Sequence, residues 1–172
     1  MKDRLTIARR SWNMSRIKGK DTRPERLVRS LLHRMGFRFR LHAKRLPGKP
    51  DIVLPSYRTV VFVHGCFWHR HRGCKNCTTP TNNRAFWVKK LNGNAARDRK
   101  HAKLLAGMGW RAIVVWECEV ERDLGRLRGR LLRCLRGSNE KPGSNFRTSG
   151  FDFDAQVRNS VERGAVNGAR ES

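Results

Sequence analysis

The apolar positions follow two periods along the chain, one helical and one of buried strands. Leu27, Val28, Leu31, Leu32 and Met35 recur at helical spacing, so residues 21–35 read as an amphipathic helix. Asp21 or Thr22 can cap it, Pro24 suits its first turn, and Gly36 stops it. Residues 37–41 alternate as a strand does. A turn at 46–50 precedes a short strand at 51–54, and a second turn at 55–58 precedes another at 59–63. So short a link between strands predicts a hairpin. Val60, Phe62 and their neighbours are apolar without alternation, which predicts burial on both faces. Two helices are expected next, at 83–94 and 94–108, then a buried strand at 111–117. A last helix at 124–135 carries leucines on one side and arginines on the other. The order predicts an α/β fold, a mixed central sheet flanked by helices.

Residues 65–80 keep neither period, so something other than an apolar face must hold them. The stretch is dense in chemistry. It contains Cys66, Phe67, Trp68, His69, His71, Cys74 and Cys77, and it follows His64 at the end of a strand.

Composition narrows what such a loop acts on. Among 172 residues, 39 are Lys or Arg and 14 are Asp or Glu, a formal charge of +25. That excess suits a polyanion, because cationic side chains displace condensed counterions; double-stranded DNA is the expected partner. A membrane surface would want a long basic helix with a continuous apolar face, and no stretch fits. No apolar run is long enough to span a bilayer, and the N-terminus lacks the apolar core of a signal peptide. A cytoplasmic location is therefore expected, with cysteines serving as thiols or metal ligands rather than disulfides. The domain reading is a basic arm at 1–20, a folded domain at 21–136 and a basic, mostly disordered tail at 137–172. Arg16, Lys18 and Lys20 in the arm, with Arg70 and Arg72 in the loop, are candidate phosphate contacts.

Three constellations carry the chemistry. Cys66, His71 and Cys118, with Cys74 or Cys77 as a third thiolate, form the donor set that zinc favours. A structural zinc there would staple the loop to the sheet. Asp51 opens one hairpin strand and His64 ends its neighbour, so the two should be close. Asp51 can hold Mg2+ through hard oxygen, with the Val63 main-chain carbonyl as a second ligand. His69 is the candidate base and His64 a phosphate or proton-handling group. Phe67 and Trp68, joined by Trp87, are either a wedge between base pairs or a small core around the zinc. A wedge selects sites that are already mispaired, since those cost less to unstack.

These stretches resemble the very-short-patch repair (Vsr) DNA mismatch endonucleases. The resemblance rests on NMSRIKGKDTRPE, LPGKPDIVLPSYRTVVFVHGCFWHRH, NRAFW, NGNAARDRK and LAGMGWRAIVVWECE, and covers about residues 11–135. It implies a restriction-endonuclease-like core with a structural zinc. It implies Mg2+-dependent nicking 5′ to the thymine of a T:G mismatch left by deaminated 5-methylcytosine, by an enzyme monomeric on DNA and coupled to other repair proteins. By position it adds Glu25 and Asp98 to Asp51, His64 and His69 as active-site groups. It assigns Phe67, Trp68 and Trp87 to the wedge. Where the best-known member has threonine before the first of those histidines, this chain has Val63. Two rival readings stay open: a nuclease that cuts both strands of paired DNA, and a non-catalytic zinc module that binds DNA.

Overall fold

A hairpin, a short edge strand and one parallel strand make the sheet on which the helices are placed. The computed structural model describes residues 6, 9, 12, 16, 19–41 and 43–137. The chain divides into two units, Met1–Ser138 and Asn139–Ser172, and the sheet with its helices belongs to the first.

The first helix, α1 (Arg23–Arg34), begins where the sequence places it. Thr22 is its N-cap, and its hydroxyl accepts from the Glu25 N–H at 3.4 Å. Strands β1 (Arg40–Leu41), β2 (Ile52–Leu54), β3 (Thr59–His64) and β4 (Arg111–Trp116) form a sheet in the order β1-β2-β3-β4. The hairpin is present: β2 and β3 run antiparallel around a 3-10 turn at Pro55–Tyr57. β4 lies parallel to β3, a pairing that needs a crossover. Helix α2 (Arg84–Gly107) supplies it, and α3 (Glu117–Arg122) and α4 (Leu124–Arg136) follow β4.

Strand register sorts the side chains between two cores. Ile52 is opposite Val61, and Val61 opposite Ile113, so these three share a face with Leu54 and Val115. That face buries Val28, Leu31 and Leu32 of α1, Val120 of α3, and Leu127, Leu131 and Leu135 of α4. Val53, Val60 and Ala112 make the opposite row, covered by Leu105 of α2. Both faces of β3 are thus covered, as its unbroken apolar run demanded. Each fully buried leucine contributes roughly 1.5–3 kcal/mol of transfer free energy.

Three expectations change. The two helices at 83–94 and 94–108 are one continuous α2. Gly93 and Asn94 are poor helix formers and read as a break, but the Asn94 side chain bonds to the 65–80 loop instead of to its own backbone. The strand at 37–41 shrinks to Arg40–Leu41, because Phe37 turns into the core against Tyr57 at 5.2 Å. The strand at 111–117 stops at Trp116, whose N–H donates to the Glu119 carboxylate at 2.9 Å and so opens α3. Cys118 therefore sits in the first turn of a helix and not at a sheet edge. Lys18 and residues 138–172 of the tail lie outside the described residues. The tail is not basic, however: Lys141, Arg147, Arg158, Arg163 and Arg170 are matched by Glu140, Asp152, Asp154, Glu162 and Glu171.

Candidate active site and metal centre

The end of the sheet where β3 and β4 finish carries two clusters. Period-two alternation puts His64 on the α2 side of β3, the side of Val60 and Phe62. The 65–80 loop returns His69 to the same place: its ring stacks on His64 at 3.8 Å, with 11° between the planes. Asp98, on α2, completes the group, its Oδ2 lying 2.7 Å from His69 Nδ1. Asp51, at the head of β2, accepts the Val63 N–H on Oδ2 at 2.8 Å, beside His64. The expected proximity of Asp51 to the end of β3 is thus present.

Electrostatics separates these groups. Burial holds the His64 imidazole down to about 3, His69 adds to that and Asp98 opposes it, so His64 is neutral at ordinary pH. Burial alone would push the Asp98 carboxyl up. The hydrogen bond from His69 and the electrostatic pull of the neighbouring imidazoles outweigh it, and Asp98 lies below its usual range.

The second cluster is sulfur-rich. Cys66, His71, Cys74 and Cys118 offer ligand atoms that all lie within 4.8 Å of one another. His71 Nδ1 is 3.5 Å from Cys66 Sγ and 3.4 Å from Cys118 Sγ. Tetrahedral zinc, with its usual bonds to sulfur and nitrogen, sets those edges at about 3.5 Å. Cys66 is 0% exposed, and burial pushes its thiol up to about 12. Three sulfurs around one imidazole, one of them fully buried, form a donor set whose thiolates need a soft cation. The residues fit zinc. Cys77 is not in the group; its N–H donates to the Cys74 carbonyl at 2.9 Å.

His64, His69 and Asp98 likewise bring one ligand atom each within 4.8 Å of one another, so this cluster too could hold a metal ion. Its shortest distance, 2.7 Å from Asp98 to His69, is that of a hydrogen bond. This is a hydrogen-bonded dyad with an imidazole against its face.

The remaining candidates divide between loop, arm and helix. Phe67, Trp68 and Trp87 do meet, with ring centroids 5.0, 5.5 and 6.1 Å apart, and Lys90 Nζ lies 5.4 Å from the Trp87 ring. Arg70 Nη1 is buried without an acceptor among the described residues, while Arg72, Arg16 and Lys20 are exposed. Glu25 is 5% exposed and engaged locally, taking bonds from the Asp21 N–H, the Thr22 hydroxyl and Arg29. Its helix packs on the other face of the sheet from His64.

Comparison with known proteins fixes the family. The DNA mismatch endonuclease Vsr family model matches residues 2–76. The chain is 53% identical over 135 residues to the type II nicking enzyme V.XorIIP of Xanthomonas oryzae pv. oryzae, covering 78% of this chain and 98% of that one. It is 46% identical to V.NmeAIP of Neisseria meningitidis, covering 79% and 96%. It is 44% identical over 111 residues to DNA mismatch endonuclease Vsr of Escherichia coli, covering 64% and 70%. The chain belongs to the Vsr family. It is a strand-specific DNA mismatch endonuclease, and a restriction-endonuclease-like core comes with Vsr membership. Among the described residues no helix is long and apolar enough to cross a membrane.

Within this Vsr site, two residues escape a reading of the sequence. Trp116 is the wall between the clusters: its ring stacks flat on His71 at 4.1 Å and meets His64 edge-on at 5.5 Å. Only the register of β4, which places Trp116 opposite His64, could have revealed that. Phe86 reads as helix packing, yet it is 49% exposed beside Trp87 and extends the aromatic group.

Proposed function

We propose that this endonuclease nicks one strand of DNA 5′ to the thymine of a T:G mismatch, in very short patch repair of deaminated 5-methylcytosine. The observation that carries the reading is the Asp98–His69 pair held against His64 at the strand end where Asp51 meets Val63.

Asp98 engages Nδ1 of His69, which leaves Nε2 as the atom able to take a proton from water. Asp98 also favours the imidazolium once it forms. His64, kept neutral by burial, backs the His69 ring and serves a phosphate or proton-handling role. Asp51 and the Val63 carbonyl supply hard oxygens that would hold Mg2+. That cation, when bound, would neutralise charge at the scissile phosphate and ease deprotonation of water. Glu25, at the N-terminus of α1, is the further active-site acid that the family resemblance adds. Cys66, His71, Cys74 and Cys118 would hold a structural zinc that fixes the loop bearing His69.

Phe67, Trp68 and Trp87 form the wedge, and Arg16, Lys18, Lys20, Arg70 and Arg72 hold phosphates. Among the described residues a guanidinium N–H of Arg70 lacks an acceptor, which suits a phosphate oxygen. The protein acts as a monomer on double-stranded DNA, at the nucleoid of a bacterial cytoplasm, and hands the nick to other repair proteins. The endonuclease domain spans 21–136, preceded in sequence by the arm at 1–20 and succeeded by the tail at 137–172.

Strand-resolved cleavage in Mg2+, with a T:G duplex beside its T:A control, tests this. Nicking of the thymine strand alone, 5′ to the mismatch, is expected. Equal cutting of both strands, or of the T:A control, would favour a restriction-type nuclease. No cutting, with binding intact, would favour a binding module.

A further inference from the structure

We propose that Asn94 is a positioning residue that holds His69 still while the adjoining aromatic ring leaves for the DNA. The inference rests on the function proposed for His69 and Trp68 and names what keeps the two from interfering.

Trp68 and His69 are consecutive, so one peptide plane joins a ring that must move to an imidazole that must not. Both polar atoms of that plane are bonded. The Trp68 carbonyl accepts from Asn94 Nδ2 at 3.0 Å, and the His69 N–H donates to the Gly65 carbonyl at 3.2 Å. The amide orientation of Asn94 follows from its other neighbour. The Arg97 guanidinium donates to Asn94 Oδ1, and a guanidinium has no acceptor, so the amide nitrogen is the end that faces Trp68. Asn94 and Asp98 are four residues apart on α2 and share a face. One turn of that helix therefore grips the peptide before His69, and the next grips its ring.

At rest Trp68 lies against Trp87, in the first turns of the same helix, at 6.1 Å. Insertion into DNA must trade that contact for stacking on bases. Without Asn94, the displacement passes through the peptide to His69. With it, motion is confined to the side-chain torsions of Trp68. Misplacing a catalytic group by about 1 Å can cost on the order of a hundredfold in rate.

The test uses the zinc-loaded full chain, single-turnover nicking of a T:G duplex in Mg2+, and a separate binding titration. Asn94→Ala is expected to nick about ten- to a hundredfold more slowly while binding the mismatch within about threefold of the parent. Asn94→Leu keeps the volume and a helix-compatible side chain but has no N–H donor, so it should match Asn94→Ala; it also answers the question if Asn94→Ala does not fold. The decisive arm is the double mutant with Trp68→Ala. With no ring to insert, loss of Asn94 should slow nicking by less than about threefold relative to Trp68→Ala alone. The proposal is overturned if Asn94→Leu nicks at the parental rate. It is equally overturned if the Asn94 penalty carries undiminished into the Trp68→Ala background, which would mark Asn94 as local scaffolding. A parent that does not nick, or a His69→Ala variant that nicks as well as the parent, would instead defeat the reading of the site itself.

Discussion

Two clusters share one tryptophan wall and solve opposite problems. On one side of Trp116, Cys66, His71, Cys74 and Cys118 close on a point, with Cys66 fully buried. On the other, His64, His69 and Asp98 also bring ligand atoms within 4.8 Å of one another, but they do so around a His69–Asp98 hydrogen bond, with His69 and Asp98 only half-buried. The closed cluster suits an ion that stays. The histidine pair suits a proton that moves, since Asp98 engages His69 through Nδ1 and leaves its other ring nitrogen outside that hydrogen bond. The difference teaches how a loop with no apolar period can still present the groups proposed for catalysis: on the proposed reading, one cluster supplies the rigidity that the other uses.

The largest expected break in that comparison is chemical. His69→Ala should slow nicking by about a hundred- to ten-thousandfold, the usual worth of a positioned base, and leave mismatch binding intact. Single-turnover nicking beside a binding titration checks it. Equal rates for variant and parent would remove His69 from the mechanism.

Breaking the other side should act through the fold. Cys118→Ala, or chelation that strips the zinc, should destabilise the domain by roughly 3–5 kcal/mol, in the range of losing a structural crosslink or a partner in a buried site. Chemical denaturation followed by circular dichroism reads this. Because the loop between β3 and α2 carries His69, nicking should fall along with stability. A zinc-free protein with native melting and full activity would show that the sulfur cluster is inert.

Acid sharpens the contrast. Burial holds the folded His64 imidazole down to about 3, against 6.5 for a free imidazole. Between those values the unfolded chain binds a proton that the folded one refuses. The contribution of His64 to stability is thus complete above about pH 6.5 and is lost progressively toward pH 3. Asp98, held below its usual range, acts in the same direction: its contribution is present above its unfolded value and is lost as pH falls through its folded one. Stability should drop by roughly 2–3 kcal/mol between about pH 6.5 and about pH 4.5 from His64 alone. His64→Gln should flatten that slope in denaturation midpoints measured across the range. An unchanged slope would show that His64 is not the group that titrates.

Much of this is legible in the sequence because strands and ligands announce themselves locally. Val60 to Val63 could only be a doubly covered strand, and the turn at 55–58 could only close a hairpin. The candidate metal donors stand out because thiols in an aperiodic loop have few other uses. What stays hidden depends on tertiary partners. Gly93 and Asn94 look like a helix break until the Trp68 carbonyl is seen to occupy the Asn94 amide. Trp116 looks like ordinary strand filler until register sets it between two imidazoles. Cys118 looks like a strand end because nothing in the sequence shows that Glu119 will cap Trp116 and start a helix.

The smallest effect concerns the cysteine pair, where sequence spacing leaves two candidates. Cys74 lies in the donor group and Cys77 does not. The Cys74 thiol is shifted down, chiefly by a main-chain hydrogen bond from Asn76. Burial pushes the Cys77 thiol up, with Arg70 pulling the other way. A thiol outside the donor group has little to lose with its sulfur. Cys77→Ser should therefore change stability by no more than about 0.5 kcal/mol, as a substitution away from packing and ligands does. Cys74→Ser should lower zinc affinity by at least about tenfold, measured by competition with a chromogenic chelator. If the two variants exchange these outcomes, the loop closes on its metal one turn later than the arrangement around His71 indicates, and Cys77 takes the fourth corner.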